Sequence, residues 1–194
     1  MVTLPPRLLA LIPLAVGINL ALGQLAAATS LPLFLDTVGT ILVAALTGLA
    51  PALATGLVSQ IIFTVVSGNA TWLAFLPVQL AVGACAAFAA RRGLFGSTGR
   101  AVGSGLALGL VAATCSWPIS YLAFGGVTAG GVTAITALLT GLGASLKWAV
   151  YAASLSSDLL DKVVSFLLVR MVLVSLPQRL AVRFPQVPRA LGQA

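Results

Sequence analysis

The chain has no histidine and no glutamate, and its only acidic residues are Asp36, Asp158 and Asp161. Without histidine there can be no Ser-His-Asp or Cys-His nucleophile system and no imidazole metal site. Charge is scarce: 7% of the 194 residues are charged, 60% are hydrophobic, and mean hydropathy is +1.14. A soluble domain carries about a quarter of its residues as charges, so the expected solvent is a bilayer. The few polar residues inside it are then the places to look for function. Cysteine is nearly absent. Cys85 and Cys115 each lie in an apolar run with no second Cys or His at ligand spacing, and they read as small buried hydrophobes. Residues 141–147 have the outline of a phosphate loop. However, Leu146 occupies the position of the required second Gly and Trp148 that of the Ser/Thr, so no nucleotide site is expected. No enzymatic activity is expected of the chain itself.

What is present is basic, with a net charge of +7 from ten Lys and Arg. In a soluble protein such an excess would suggest nucleic acid, but no basic patch here is interleaved with exposed aromatics. In a membrane protein it marks cytoplasmic loops. Arg7 opens the chain, Arg91, Arg92 and Arg100 share one loop, and Arg179, Arg183 and Arg189 lie in the tail. The run after Arg7, ending at Ala26, Ala27 and Ala28, imitates a secretory signal but is longer than a typical signal core. It reads as a mature span.

A crossing helix needs about 20 apolar residues. The apolar runs predict spans at residues 8–28, 34–49, 52–66, 72–90, 101–124 and 159–176, with the second and third folded as a tight hairpin around Gly48 and Pro51. The basic loops face the cytoplasm only if the chain crosses an odd number of times between about 125 and 177. One of the segments 132–153 and 159–176 therefore crosses, and the other is partial, tilted or re-entrant. Ser157-Asp158 followed by Asp161 resembles an acidic capping box, which makes 159–176 the crossing helix. The expectation is an all-α, single-domain membrane protein of six spans, with both termini and the basic tail 177–194 cytoplasmic.

Small residues recur at spacing four: Ala44, Gly48, Ala52, Gly56, then Ala137, Gly141, Ser145, Ala149, Ala153, Ser157. Such rows let helices approach closely in lipid, either within the chain or against a partner, and Ala15, Gly23 and Ala27 are the candidates for partner docking. The polar residues gather in the half of the bundle that this topology puts outside. They are Asp36 with Thr37 and Thr40, Gln60, Asn69, Trp72, Trp117 and Tyr121, followed by a stripe of Lys147, Tyr151, Ser154, Asp158, Asp161, Lys162 and Ser165. Each has a plain alternative. Trp72 and Trp117 suit an interfacial belt, Asp158 and Lys162 an i,i+4 pair, and Asp36 a helix N-cap. Arg170 either snorkels or meets a partner. Asp158 and Asp161 are half of a metal-diphosphate motif without its second half. Lys147, a cation in apolar sequence, needs a counter-charge, water or a route to the interface. Together these residues describe a pocket for a polar small molecule, with Asp36, Asn69, Trp117, Tyr121, Lys147, Tyr151 and Asp158 as lining. No polar track continues to the inner side, as an ion pathway would require.

The element Leu35-Asp36-Thr37-Val38-Gly39-Thr40, the Gly/Ala/Pro-rich hairpin after it, and the Asp161-Lys162 helix ending at Leu176-Pro177 resemble the substrate-binding S components of energy-coupling factor (ECF) transporters. The resemblance runs over roughly residues 8–185. It implies a six-helix subunit in the bacterial cell membrane that captures a vitamin, a vitamin precursor or a metal ion from outside. It also implies association with a T component and two cytoplasmic ATPases, which hydrolyse the ATP, and a coupling face of small residues on the first helices. The N-terminal histidine of metal-type members is missing here, which turns the expectation to an organic nutrient with no metal and no cofactor. Two other readings stay open: a membrane sensor or scaffold that transports nothing, and a solitary secondary transporter.

Overall fold

The computed structural model describes residues 10–29, 31–128, 131–184 and 186–193. Among them there are helices and no strand. The order is α1 (Leu11–Ala28), α2 (Val38–Thr47), α3 (Leu49–Ser67), a 3-10 turn (Ala70–Phe75), α4 (Leu76–Arg91) and α5 (Thr98–Leu122). These are followed by α6 (Gly131–Gly141), α7 (Leu146–Ser175), α8 (Gln178–Ala181) and α9 (Val187–Ala190). Four stretches are long and apolar enough to cross a membrane: α1, α3, the 3-10 turn with α4, and α5. Leu14, Val65, Leu122 and Met171 stand exposed on outer faces, as side chains do when acyl chains solvate them. The chain is an all-helical, multi-pass membrane protein.

Apolar side chains gain little by leaving lipid for one another, so helices in a bilayer are held by close packing and interhelical hydrogen bonds. Both devices meet at Asn19 on α1. Its Nδ2 donates to Thr40 Oγ1 and Ser59 Oγ, each at 2.9 Å, and its Oδ1 accepts from Gly39 N at 2.7 Å. Thr40 and Ser59 lie on either side of Gly48, so the chain reverses there. Gly48 has φ +96°, a conformation closed to most L-residues. The expected hairpin is present, but α3 begins at Leu49 and Pro51 sits in its first turn instead of separating two spans. The turn position costs nothing, because those first N–H groups have no partner inside the helix. At Gly39 a Cβ would fall 2.1 Å from the Ala15 carbonyl oxygen. The absence of a side chain is what seats α2 on α1.

The largest departure from the sequence reading concerns α7. It is one helix of 30 residues starting at Leu146, where the sequence suggested a start near residue 159. Ser157, Asp158 and Asp161 lie mid-helix and buried, so they cap nothing. Their polar groups serve other elements, an alternative that local sequence does not show. The predicted segment 132–153 accordingly divides. Its first part is the short helix α6, and the rest belongs to α7. Ser145 and Gly141 are exposed, so the small-residue row is not continuous across the junction.

Helices α5 and α7 run antiparallel. A Cβ on Gly105 would lie 2.6 Å from Val163 Cα, and one on Gly109 2.7 Å from Leu159 Cα. One long helix thus returns the chain from the α5 exit to the end that holds Arg91, Arg92 and Arg100. There Phe95 N donates to the Ala190 carbonyl at 3.1 Å, and Arg170 Nη1 to the Phe95 carbonyl at 2.8 Å. The basic loop and the tail are therefore joined on one side. This end of the bundle is filled by apolar packing: Ile41, Ala44, Val82, Ala86, Phe166, Val169 and Leu173 are buried together, and Phe95 stacks on Phe166 at 4.8 Å.

Candidate functional site

The opposite end of the bundle is hollow. A cavity of about 80 Å³, open at its mouth, lies between the end of α1, the 31–37 segment, α3, the 3-10 turn, α4, α5 and the first half of α7. Its polar lining comprises Asp36, Thr37, Gln60, Gln79, Ser116, Ser120, Thr128, Ser154, Asp158 and Lys162. Its aromatic lining is Phe34, Phe63, Trp72 and Phe75.

The deepest group is Lys162, 2% exposed. Its ammonium pairs with the neighbouring Asp161 carboxylate and donates to Thr37 Oγ1 at 3.1 Å. Asp161 is fully buried and engaged on both oxygens, because Oδ1 also accepts from Phe34 N at 3.1 Å and Leu35 N at 2.7 Å. This carboxylate holds the 31–37 segment against α7. Leu35 adopts φ +52°, rare for a non-glycine residue. A strained backbone that persists is held by its surroundings, and here the Asp161 contacts supply the hold. Every polar residue of the distinctive 35–40 element therefore serves the tertiary structure, Asp36 and Thr37 at the cavity and Thr40 at Asn19.

Two further carboxylates face the cavity. Asp158, 3% exposed, accepts from Ser116 Oγ at 2.7 Å. Asp36 accepts from Gln79 Nε2 at 3.2 Å. It is not a helix cap: Thr37 occupies that position and makes no side-chain cap bond. Nor do Asp158 and Lys162 form the i,i+4 pair, since Lys162 turns to Asp161 instead. Gln60 Nε2 donates to the Trp72 carbonyl at 2.6 Å and so fixes the 3-10 turn over the mouth. Trp72 meets Phe63 edge-on at 5.4 Å, Phe75 at 5.6 Å and Phe124 at 5.0 Å.

Of the seven residues expected to line a pocket, Asp36 and Asp158 line this one. Asn69 is exposed and caps the 3-10 turn, accepting from Thr71 N at 3.0 Å. Trp117, Tyr151 and Lys147 form a separate cluster, with Trp117 edge-on to Tyr151 at 5.8 Å and Lys147 Nζ 5.9 Å from the Trp117 ring. Lys147 is exposed, so the partner this cation needs is an aromatic face at the helix end. Tyr121 is half-buried and outside the lining. Of the docking candidates, Ala15 is buried against α2 and Gly23 lies against Asp36. Ala27 is exposed and borders the cavity.

Sequence reasoning did not select Gln79, Ser116 or Lys162 as lining. A lone amide in the apolar run of α4 was the available signal for Gln79. The hydroxyl of Ser116 had none. Lys147→Ala should leave unfolding free energy within about 0.5 kcal/mol of wild type, as exposed substitutions do. It should also leave occupancy of the cavity unchanged. Thermal unfolding and ligand titration of that variant check both points, and a large loss in either would return Lys147 to the site.

Compared with protein-family models, with curated proteins and with solved structures, the chain matches none.

Proposed function

We propose that the chain is a substrate-capture subunit of an ECF-type importer, taking up a small organic nutrient such as a vitamin or vitamin precursor. One observation carries the reading: the cavity is a dead end. Below it a small polar pocket reaches Asn19 and Ser59, whose side chains are tied to each other and to Thr40, and from there to Phe95 the bundle is packed with apolar side chains. A channel needs a path through; a receptor needs a closed floor, aromatic walls and a few oriented polar groups. The residues that carry the family resemblance are also the ones that build this floor.

In this reading the chain crosses the bacterial cell membrane six times. The short helix α2, with the 31–37 segment, and the long helix α7 supply the crossings beyond the four apolar spans. Both termini are cytoplasmic. The T component and two ATPases provide the energy. Because Ala15 and Gly23 face inward, a coupling surface on α1 has to be built from outward positions such as Leu14 and Gly17. Affinity purification of the chain from native membranes is expected to recover a T component with paired ATPases, and the chain alone in liposomes to accumulate nothing. Recovery with a kinase would favour the sensor reading, and uptake by the isolated chain the solitary-carrier reading.

A further inference from the structure

We propose that the cavity is a receptor for a small organic cation with an apolar body. The inference rests on the capture reading and names its substrate class. All three acidic residues of the chain converge on this one site, against a single lysine. Lys162 is paired with Asp161 and gives a second N–H to Thr37, while the other oxygen of Asp161 is taken by Phe34 N and Leu35 N. Asp36 and Asp158 are thereby left facing the cavity with one neutral partner each, Gln79 and Ser116. No other described cation compensates them. Lys147 sits at Trp117, and Arg170 is engaged at Phe95 at the far end. One lysine thus faces three acidic groups, and Asp36 and Asp158 keep acceptor capacity that no described side chain fills; a bound cation with N–H donors supplies both the charge and the hydrogen bonds.

Gln79 adds an independent indication. It is 5% exposed, lines the cavity and gives its amide N–H to Asp36, which orients the side chain. Its Oε1 is then an acceptor with no partner among the described residues. A buried acceptor left open beside a carboxylate calls for a ligand that donates, and the neighbouring carboxylate favours a donor that is positively charged. The walls fit the same guest, because the faces of Trp72 and Phe75 attract cations. A metal ion fits poorly: no three acidic or thiol groups of the described residues come together as a chelating set. The guest is therefore an ammonium or amidinium compound, with Asp36, Gln79 and Asp158 receiving its N–H groups and the aromatic wall its apolar part.

Three probes that share one skeleton, 2-phenylethylammonium, 2-phenylethanol and phenylacetate, test this by titration of the purified full-length chain in nanodiscs. Tryptophan fluorescence and thermal stability are the readouts. The ammonium is expected to bind saturably and the other two not to. Asp158→Asn and Asp36→Asn should each weaken it roughly tenfold to hundredfold, the loss of one charge-assisted bond, while Lys147→Ala changes nothing. Thermal unfolding of each Asp→Asn variant without any probe guards against a folding artefact, since a folded variant that has lost the ammonium has lost it at the site. Preference for phenylacetate would make Lys162 the anchor and overturn the proposal, and preference for the alcohol would overturn it equally, while either result leaves capture standing. Binding of none of the three would likewise overturn the proposal, and capture itself would still be decided by whether a T component and ATPases are recovered with the chain.

Discussion

Lys162→Met is expected to be among the most damaging single substitutions in this protein, costing about 3–5 kcal/mol of stability, the usual consequence of stripping one partner from a buried ion pair. The ammonium is buried beside Asp161 and donates to Thr37. Without it three carboxylates share one end of the bundle with no countercharge. Asp161 also holds the backbone of Phe34 and Leu35, so the damage should spread to the 31–37 segment and open the cavity floor. The double variant Lys162→Met/Asp161→Asn should recover part of the loss, because the amide oxygen can still accept the two backbone N–H groups and no charge remains there. Chemical unfolding of the detergent-solubilised single and double variants measures this. A single variant with an unchanged midpoint would show that the pair contributes nothing.

Gly39→Val should have an effect of similar size for a steric reason. A Cβ at this position would stand 2.1 Å from the Ala15 carbonyl oxygen and 2.9 Å from Asn19 Oδ1. The obstruction is largely backbone, so no rotamer change relieves it, and α1 and α2 must part. Overpacking of this kind costs about 1–3 kcal/mol or more. Separation also breaks the Gly39–Asn19 hydrogen bond and loosens those to Thr40 and Ser59, at about 1–3 kcal/mol for each buried group left unpaired. Gly17→Val is the control: nothing lies within 4 Å of a Cβ there, and a β-branched residue is about as tolerable as glycine in a helix. Thermal unfolding of the two variants is expected to separate widely. Equal midpoints would mean that the α1–α2 contact is looser than these distances require.

Local sequence stops being informative at the buried charges. The alternative functions of Asp158 and Asp161 were a helix start or half of a metal motif, and both treat the residues as serving their own neighbourhood. In the folded chain Asp161 pairs with the adjacent Lys162, and their other partners are Ser116, Phe34 and Leu35, more than 40 positions away. The same holds for Lys147 and Lys162. Both are lysines in apolar sequence, and spacing along the chain does not tell which one is buried. Only the packing of α7 against α5 and the 31–37 segment turns Lys162 inward and leaves Lys147 at a helix end beside Trp117.

By itself the sequence determined the solvent, the fold class and the location of chemistry by exclusion. Hydropathy and the scarcity of charge point to helices in a bilayer, because backbone groups in lipid must be paired inside the protein and continuous apolar runs lack the alternation of barrel strands. Three aspartates and no histidine leave few groups able to act. The tertiary structure alone decided that α7 is continuous through its acidic residues, that Asp158 meets Asp36 at one cavity, and that Lys162 is the lysine buried there with Asp161. The reason is physical: helix formation depends on residues three and four apart, whereas a buried charge is governed by whatever lies within a few ångströms, and in this bundle those neighbours come from distant segments.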